Sequence, residues 1–241
     1  MPYIHKMNFA GLTFSPLGDA AILISFGNKI DETLNSKVLH LFFKLKAQAL
    51  PVVKDMVPGY STLVIFYDLL ILENKKPVNK SCFEIFTDQI KTLCVEDIKT
   101  YSLPSRKIKI PVCYAEKYAL DIQEIAKEKK IPVAEIIRMH TARSYRVYMT
   151  GFLPGFPYMG EVDEEIAMPR KTQPRLLVEA GSVGIAGRQT GIYPLDSPGG
   201  WQIIGKTPVQ LFNKDLEEPV ALHPGDQVEF YSITADEFTN Y

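Results

Sequence analysis

Two arginines, Arg170 and Arg175, bracket the short stretch Lys171-Thr172-Gln173-Pro174. A guanidinium offers a planar fork of donors that suits a carboxylate or a phosphate. Either arginine alone also reads as an ordinary solvated charge, but both lie between two glycine-rich clusters. The first cluster is Gly151-Phe152-Leu153-Pro154-Gly155-Phe156-Pro157-Tyr158-Met159-Gly160. Proline fixes φ and glycine reaches backbone conformations closed to other residues, so this segment reads as one rigid loop. Its Phe152, Phe156 and Tyr158 either wall a pocket or plug the end of a barrel. The second cluster runs from Ala180 through Gly181, Gly184, Gly187 and Gln189 to Tyr193-Pro194. It has neither the GxxxxGK[ST] of a P-loop nor a GxGxxG opening a helix. Val183 and Ile185 look like a strand there, and the glycines serve equally as a weak phosphate cradle or as close packing points. The third is Asp196-Ser197-Pro198-Gly199-Gly200-Trp201-Gln202, which places the single tryptophan after a glycine pair whose amides could face an anion. No GxSxG elbow surrounds Ser197, so it reads as a binding or turn-capping residue rather than a nucleophile.

His140 falls seven residues after Val133 and three after Ile137, on the apolar face of its helix. It is either a core histidine satisfied by a backbone carbonyl or a residue of a pocket. No HxH, HExxH or acidic cluster at ligand spacing occurs, so no protein-ligated metal is expected. The three cysteines, Cys82, Cys94 and Cys113, form no CxxC pair. That speaks against a disulfide framework and a structural zinc site, and for a reduced, cytoplasmic setting.

The elements that must position these residues change character near residue 145. Ten of the 15 glycines fall between Gly151 and Gly205, and the first 110 residues hold only four. Ala21 to Phe26 reads as a buried strand, and Asp31 caps a helix with Leu34, Val38, Leu41, Phe42 and Leu45 on one face. Ser61 to Tyr67 is a second strand. Ser81 with Glu84 forms a capping box for a helix carrying Phe83, Phe86, Ile90 and Leu93. Ile108, Ile110 and Val112 alternate with lysines and Pro111, the mark of an exposed or edge strand. Asp121 with Glu124 predicts another capping box, and Pro132 suits the first turn of the next helix. Beyond Tyr145 come short strands at Val183 to Ala186, Trp201 to Ile204, Val209 to Phe212 and Val228 to Tyr231, which suggest a sandwich or small barrel. No long-period repeat points to a solenoid. The predicted organisation is α+β: an α+β domain over residues 1–104, a connecting strand and helices over 105–144, and a β-barrel domain over 145–241.

Composition narrows the function classes. Lysine and arginine total 27 against 28 acidic residues, a formal net charge of −1. Nucleic-acid binders carry a basic excess because phosphate neutralisation dominates their affinity, so no nucleic-acid partner is expected. Nor is a membrane: no apolar run approaches the roughly 20 residues of a span, and Met1 to Ala10 lacks a secretory plan.

The ordered series His140, Tyr145, Gly151 to Tyr158, Pro174-Arg175, Gly181 to Gly187, Gln189 to Pro194 and Ser197-Pro198-Gly199-Gly200-Trp201 resembles one family. That family comprises the B-type subunits of 5-oxoprolinase (PxpB), also labelled allophanate hydrolase subunit 1, and includes the histidine-kinase inhibitor KipI. Gly18-Asp19-Ala20-Ala21, Val57-Pro58-Gly59-Tyr60 and Leu63-Val64 extend the resemblance to the front half. It implies a cyclophilin-like barrel for the C-terminal domain. It implies a role in opening 5-oxoproline, a small lactam, to L-glutamate with ATP (accompanied by Mg2+) as co-substrate. The implied partners are the C-type (KipA-like) and A-type (LamB/YcsF-like) components of 5-oxoprolinase. In that setting His140, Tyr145, Phe152, Pro154, Gly155, Phe156, Gly187, Gln189, Tyr193, Ser197 and Trp201 would line a substrate or nucleotide site. Arg170 and Arg175 would bind ATP phosphates or the substrate carboxylate, and the amides of Gly181 to Gly187 and of Gly199-Gly200 would support developing negative charge.

Three positions depart from the family pattern. Arg188 stands where a small residue is usual, Glu179 replaces a proline, and Leu120-Asp121 replaces a glycine-aspartate pair. Arg188 adds positive charge beside the expected ligand loop. Two other readings compete: a binding protein that docks on a sensor histidine kinase, and a prolyl isomerase suggested by the implied barrel alone.

Overall fold

The computed structural model describes residues 7–9, 11–74, 77–94 and 105–241. Apart from Met7–Phe9, the stretch Met1 to Ala10 lies outside them. The chain divides into two units, Met1–Pro104 and Ser105–Tyr241.

The first unit contains β1 (Met7–Phe9), β2 (Leu12–Pro16), β3 (Ala21–Ser25), α1 (Glu32–Gln48), β4 (Val53–Pro58), β5 (Thr62–Tyr67), α2 (Leu69–Glu73) and α3 (Cys82–Cys94). Its strands form one antiparallel sheet in the order β1-β2-β3-β5-β4. Alternation along the strands turns Phe14, Ile22, Ile24, Leu63 and Ile65 toward Val38, Leu41 and Leu45 of α1 and Phe86 and Ile90 of α3. Both predicted helix starts form. The Asp31 carboxylate accepts the Leu34 N–H at 2.8 Å. Ser81 and Glu84 cap reciprocally, Ser81 N–H to Glu84 Oε2 at 2.7 Å and Glu84 N–H to Ser81 Oγ at 3.2 Å.

The second unit contains β6 (Lys107–Cys113), α4 (Ile122–Lys129), α5 (Val133–Thr141), β7 (Ser144–Thr150), β8 (Pro157–Gly160), a 3-10 turn (Glu164–Ile166), β9 (Arg175–Val178), β10 (Ser182–Ala186), β11 (Gln189–Ile192), β12 (Ser197–Gly199), β13 (Gln202–Lys206), β14 (Gln227–Ile233) and α6 (Ala235–Thr239). Seven strands close into a barrel, β10-β11-β8-β7-β14-β6-β13, with β13 returning to β10. Strands β9 and β12 form a separate two-stranded ribbon. Ile110, Val147, Met159, Val183, Ile185, Ile192, Ile204 and Val228 fill the barrel core with Ile122 and Ile125 of α4 and Ile136 of α5. Among the described residues no helix is long and apolar enough to cross a membrane.

Four expectations are corrected here. The segment with Pro111 is a barrel wall, not an edge: β6 pairs with β14 along its whole length, and with β13 only at Cys113. That partial second ladder accommodates a residue without an N–H. The stretch 105–144 therefore belongs to the barrel unit instead of connecting two domains. No strand forms at Val209 to Phe212, where Phe212 makes only an isolated bridge to Val220. Asp121 stands at the N-cap of α4 but makes no side-chain cap bond, because its carboxylate is engaged elsewhere.

Candidate functional site

The glycines of the second cluster build a floor on the outside of the barrel. Gly184 of β10 and Gly191 of β11 are register partners, and Val183, Ile185 and Ile192 beside them point into the core. A Cβ on Gly184 would lie 3.1 Å from Trp201 Cβ, and one on Gly191 would lie 3.0 Å from both the Phe156 and the Trp201 ring. Bare backbone thus lets two large rings, set nearly perpendicular to each other, approach the hairpin closely. Phe156 stands at the centre, with ring centroids 4.9 Å from Tyr158, 5.2 Å from Tyr193 and 5.3 Å from Trp201. With Val178, Ala186 and Ile203 these rings form a second small core. Burial raises the pKa of the Tyr193 hydroxyl, with the Trp201 backbone N–H and nearby arginines pulling the other way.

Phe152 carries the cluster to the surface. It is the central residue of a three-residue turn in which the Leu153 N–H reaches Gly151 O at 2.9 Å. Its φ of 69° is the strained, left-handed form of that turn. The side chain is 62% exposed and meets Phe156 edge-on at 5.7 Å. Pro154 is exposed beside it and Gly155 is buried. The predicted rigid loop is thus residues 151–156, and Pro157–Gly160 is already a barrel strand.

Arg170 lies with its guanidinium carbon 5.9 Å from the Trp201 ring centroid, an exposed cation–π contact. Among the described residues it has no hydrogen-bond or ion-pair partner. Its backbone neighbours, by contrast, are tightly held. Met168 O accepts the Gly187 N–H at 2.6 Å, Pro169 O accepts Gln202 Nε2 at 3.0 Å, and the Lys171 N–H donates to Gly200 O at 2.7 Å. A fixed backbone therefore displays an uncommitted guanidinium over an indole. This arrangement suits a small carboxylate or phosphate attached to a flat group.

Arg175 does something different. Its guanidinium makes a bidentate pair with Asp121, Nη1 to Oδ2 at 2.9 Å and Nη2 to Oδ1 at 2.6 Å. Lys171 Nζ adds a contact to Asp121 Oδ1 at 2.9 Å, and the Ile203 N–H donates to Oδ2 at 2.7 Å. The Asp121 carboxylate is 2% exposed. Burial pushes its pKa up, but Arg175, Lys171 and the Ile203 N–H outweigh burial and hold it below the ordinary range. Asp121 thus ties the start of α4 to β9 and β13. Two of the five N–H donors of Arg175 are thus committed to Asp121, so this side chain serves the scaffold.

His140 and Tyr145 are also corrected, from pocket to core. Both are fully buried. Tyr114 Oη lies 2.8 Å from His140 Nδ1, and His140 Nε2 lies 3.1 Å from Thr190 Oγ1, which itself donates to Gly184 O at 3.1 Å. Those roles fit one neutral tautomer, with Nδ1 accepting and Nε2 donating. The imidazole stacks on Phe230 at 4.6 Å, and burial pushes its pKa down to about 3. Tyr145 donates to the His140 carbonyl at 2.8 Å. The core histidine is thus satisfied by two hydroxyls.

The remaining predicted residues divide. Ser197 is buried and spends its hydroxyl on Pro198 O at 3.2 Å. Gly199 is a close-approach point for the Tyr193 ring, and Gly200 supplies the carbonyl that holds Lys171. Gly187 and Gln189 stand apart, at the turn and first residue of the β10–β11 hairpin, where Gly187 at φ 59° serves the turn. The amides of Gly181 and Gly187 donate to Tyr193 O and Met168 O, so they are not free for an anion. The charge on Arg188 meets Glu161 at 2.7 Å, and Glu179 pairs with Lys206. Asp121, Lys171 and Gln202 complete the arrangement without having been singled out as site residues. The tight spacing of Lys171 and Gln202 to Arg170 and Trp201 was the available signal. Among the described residues, no group of three or more His, Cys, Asp or Glu could hold a metal ion.

A family model described as the carboxyltransferase domain, subdomain C and D, matches residues 12–222. The B-type 5-oxoprolinase subunit of Bacillus subtilis (strain 168) is 39% identical over 226 residues, covering 93% of this chain and 94% of its own. The solved structure of TTHA0988 superposes with a TM-score of 0.75 at 33% identity, over 89% of this chain but only 40% of that one. A urea amidolyase of Lachancea kluyveri is 26% identical over an alignment that covers 95% of this chain and 14% of the relative.

Proposed function

The chain belongs to the family of B-type 5-oxoprolinase subunits, and from that membership we propose that it is one component of an ATP-dependent complex opening 5-oxoproline to L-glutamate. Its companions in this reading are one C-type and one A-type component. The observation that carries the reading is the 39% identity to the Bacillus subtilis protein over 93% of the chain. An unstrained amide resists water because resonance stabilises it. ATP, arriving with its own Mg2+, supplies the activation that lets water open the ring.

What this chain contributes is recognition. 5-Oxoproline is a flat five-membered ring bearing one carboxylate. Arg170 receives the carboxylate, and the ring lies toward Trp201 and Tyr158, with Phe152 and Pro154 limiting water at one side. An anion completes the hydrogen bonding of Arg170, and that contact strengthens as water leaves. The Gly200 carbonyl and Gln202 hold the Arg170 backbone in register, which reduces the ordering cost of binding. Arg175 and Asp121 act through the scaffold and touch no substrate.

The test is ADP and glutamate release from ATP and 5-oxoproline by the three reconstituted components, with this chain omitted as control. Release should depend on the chain, and Arg170→Ala should raise KM for 5-oxoproline at least about tenfold, or roughly 1.4 kcal/mol. The same variant should lose the quenching of the single tryptophan by 5-oxoproline that neutral 2-pyrrolidinone does not cause. Unchanged KM and quenching in Arg170→Ala would remove Arg170 from recognition. An assembled complex that releases nothing, with a histidine kinase inhibited by the chain alone, would transfer the function to kinase inhibition.

A further inference from the structure

Side chains alternate along β8, so Met159 enters the barrel core while Tyr158 faces outward onto the Phe156 and Trp201 rings. The Tyr158 ring centroid lies 5.9 Å from that of Trp201, and the Arg170 guanidinium carbon lies at the same distance from the indole. One phenol and one guanidinium therefore share the indole as neighbour. The Tyr158 side chain is half-buried. Burial raises the pKa of its hydroxyl and the Arg170 charge pulls the other way, so the two groups sense each other while the phenol keeps its proton at neutral pH.

The other polar groups around this surface are spent or out of reach. Lys171 Nζ contacts Asp121 at 2.9 Å and Glu124 at 3.0 Å. Gln202 donates to Pro169 O, and its Oε1 faces Lys171 Nζ at 3.3 Å. Arg175 is committed to Asp121 through both of its terminal nitrogens. Tyr193 is 1% exposed, and its hydroxyl packs so closely on Gly199 that a Cβ there would meet it. It is not positioned to turn toward an entering molecule. The Tyr158 hydroxyl, like Arg170, has no hydrogen-bond partner among the described residues. A tyrosine that packs its ring against other aromatics normally finds a partner for its hydroxyl. Two uncommitted donors thus border one aromatic surface, and a ligand that satisfies both carries two separate acceptors, an anion for the guanidinium and a neutral oxygen for the phenol.

Resting on the recognition role of Arg170, we propose that Tyr158 is a specificity residue whose hydroxyl donates to the lactam oxygen of 5-oxoproline while Arg170 holds the carboxylate. In 5-oxoproline these two acceptors sit on the two carbons that flank the ring nitrogen. A ring lying toward Trp201 can therefore direct one acceptor to each donor. A carbonyl oxygen has two lone pairs, so a hydrogen bond from Tyr158 leaves the second open to activation. Arg170 requires that the ligand be an acid, and Tyr158 requires that it be a lactam. Cyclopentanecarboxylate, with the same ring size and charge but no amide, satisfies the first requirement and leaves the phenol without its acceptor.

The experiment titrates the full chain with 5-oxoproline and with cyclopentanecarboxylate, following emission of the single tryptophan. The wild-type chain should prefer 5-oxoproline at least about tenfold, or roughly 1.4 kcal/mol. Tyr158→Phe should lose that preference by weakening 5-oxoproline alone, with cyclopentanecarboxylate unchanged within about twofold. Its unfolding temperature should move by less than about 2 °C, because the ring packing is kept. Arg170→Ala should weaken both ligands together. A preference retained in Tyr158→Phe would overturn the role of Tyr158 and leave that of Arg170 standing, and so would an equal loss of both ligands in that variant. Affinity for both ligands unchanged in Arg170→Ala, or no response of the wild-type chain to either, would overturn the two roles together.

Discussion

Replacing Asp121 by Asn removes one charge from a site where the protein has concentrated two positive ones. Removing one partner of a buried pair costs about 3–5 kcal/mol, because the charge left behind is desolvated without compensation. Here Arg175 and Lys171 keep 25% and 20% side-chain exposure, so water recovers part of the loss. The asparagine oxygen still accepts the Ile203 N–H. These two corrections place the cost at the low end, about 3 kcal/mol. At about 2–4 °C per kcal/mol for a chain of this length, the unfolding temperature at pH 7 should fall by about 6–12 °C. A pH arm separates charge from packing. The folded-state pKa of Asp121 is depressed, so its contribution is present above the unfolded value, near 3.8, and is lost as pH falls through the folded value. The gap between wild type and Asp121→Asn should therefore begin to close below about pH 4 and narrow further as the pH falls. Calorimetric scans of both proteins at pH 7 and pH 3 decide the matter. A variant within about 1 °C of wild type at pH 7 would refute the reasoning, and so would a gap that persists undiminished in acid.

His140 gives the opposite group type and the same direction of pH dependence. Its folded pKa is pushed down to about 3 from 6.5, so the unfolded chain binds the proton first and stability declines as pH falls from 6.5 toward 3. The loss should reach about 2 kcal/mol by pH 5, and His140→Gln should flatten that slope. In proton spectra the His140 ring should show no titration step near 6.5; a step there would place the imidazole in contact with water. Gly191→Ala forces a methyl to 3.0 Å from two aromatic rings and 2.9 Å from Pro157 O, and should destabilise the protein by about 1–3 kcal/mol. Trp201 emission should shift to the red as the ring is displaced, and an unshifted spectrum with unchanged stability would discount the glycine floor.

Local signals were legible where a residue acts on its own neighbours in the chain. Asp31 and the Ser81–Glu84 box read correctly because a cap closes within three residues. Strands β3 and β5 read correctly because their apolar residues are contiguous, and β10 and β14 because Val183 and Ile185, and Val228 and Phe230, alternate. Asp121 and Glu124 have the same cap spacing as Ser81 and Glu84, yet Asp121 is drawn off by Arg175, 54 residues away. Nothing within one turn of helix reports that competition. Pro111 misled for a related reason, since an edge and a barrel wall with one incomplete ladder have the same local pattern. The aromatic and glycine clusters were legible as special, but not in their role. In Gly184 and Gly191 the pattern is a missing Cβ, and the ring that fills the space comes from elsewhere in the chain.

The two arginines show why such a site cannot be divided by residue type alone. Arg170 and Arg175 lie five positions apart, and each presents the same fork of donors. The difference arises from Asp121. One buried carboxylate takes both oxygens' worth of Arg175 and a contact from Lys171, and so consumes the positive charge on either side of Thr172 to Pro174. Arg170 remains uncommitted because its own neighbours are fixed through backbone groups, which leave the side chain no carboxylate to find. In the proposed function, scaffold and recognition therefore use the same chemistry five positions apart, and burial of the acidic partner decides between them. Exchanging the roles would require moving that carboxylate, which is why substitution at Asp121 should alter stability first and substrate affinity only through the displaced Lys171 and Arg170 backbone.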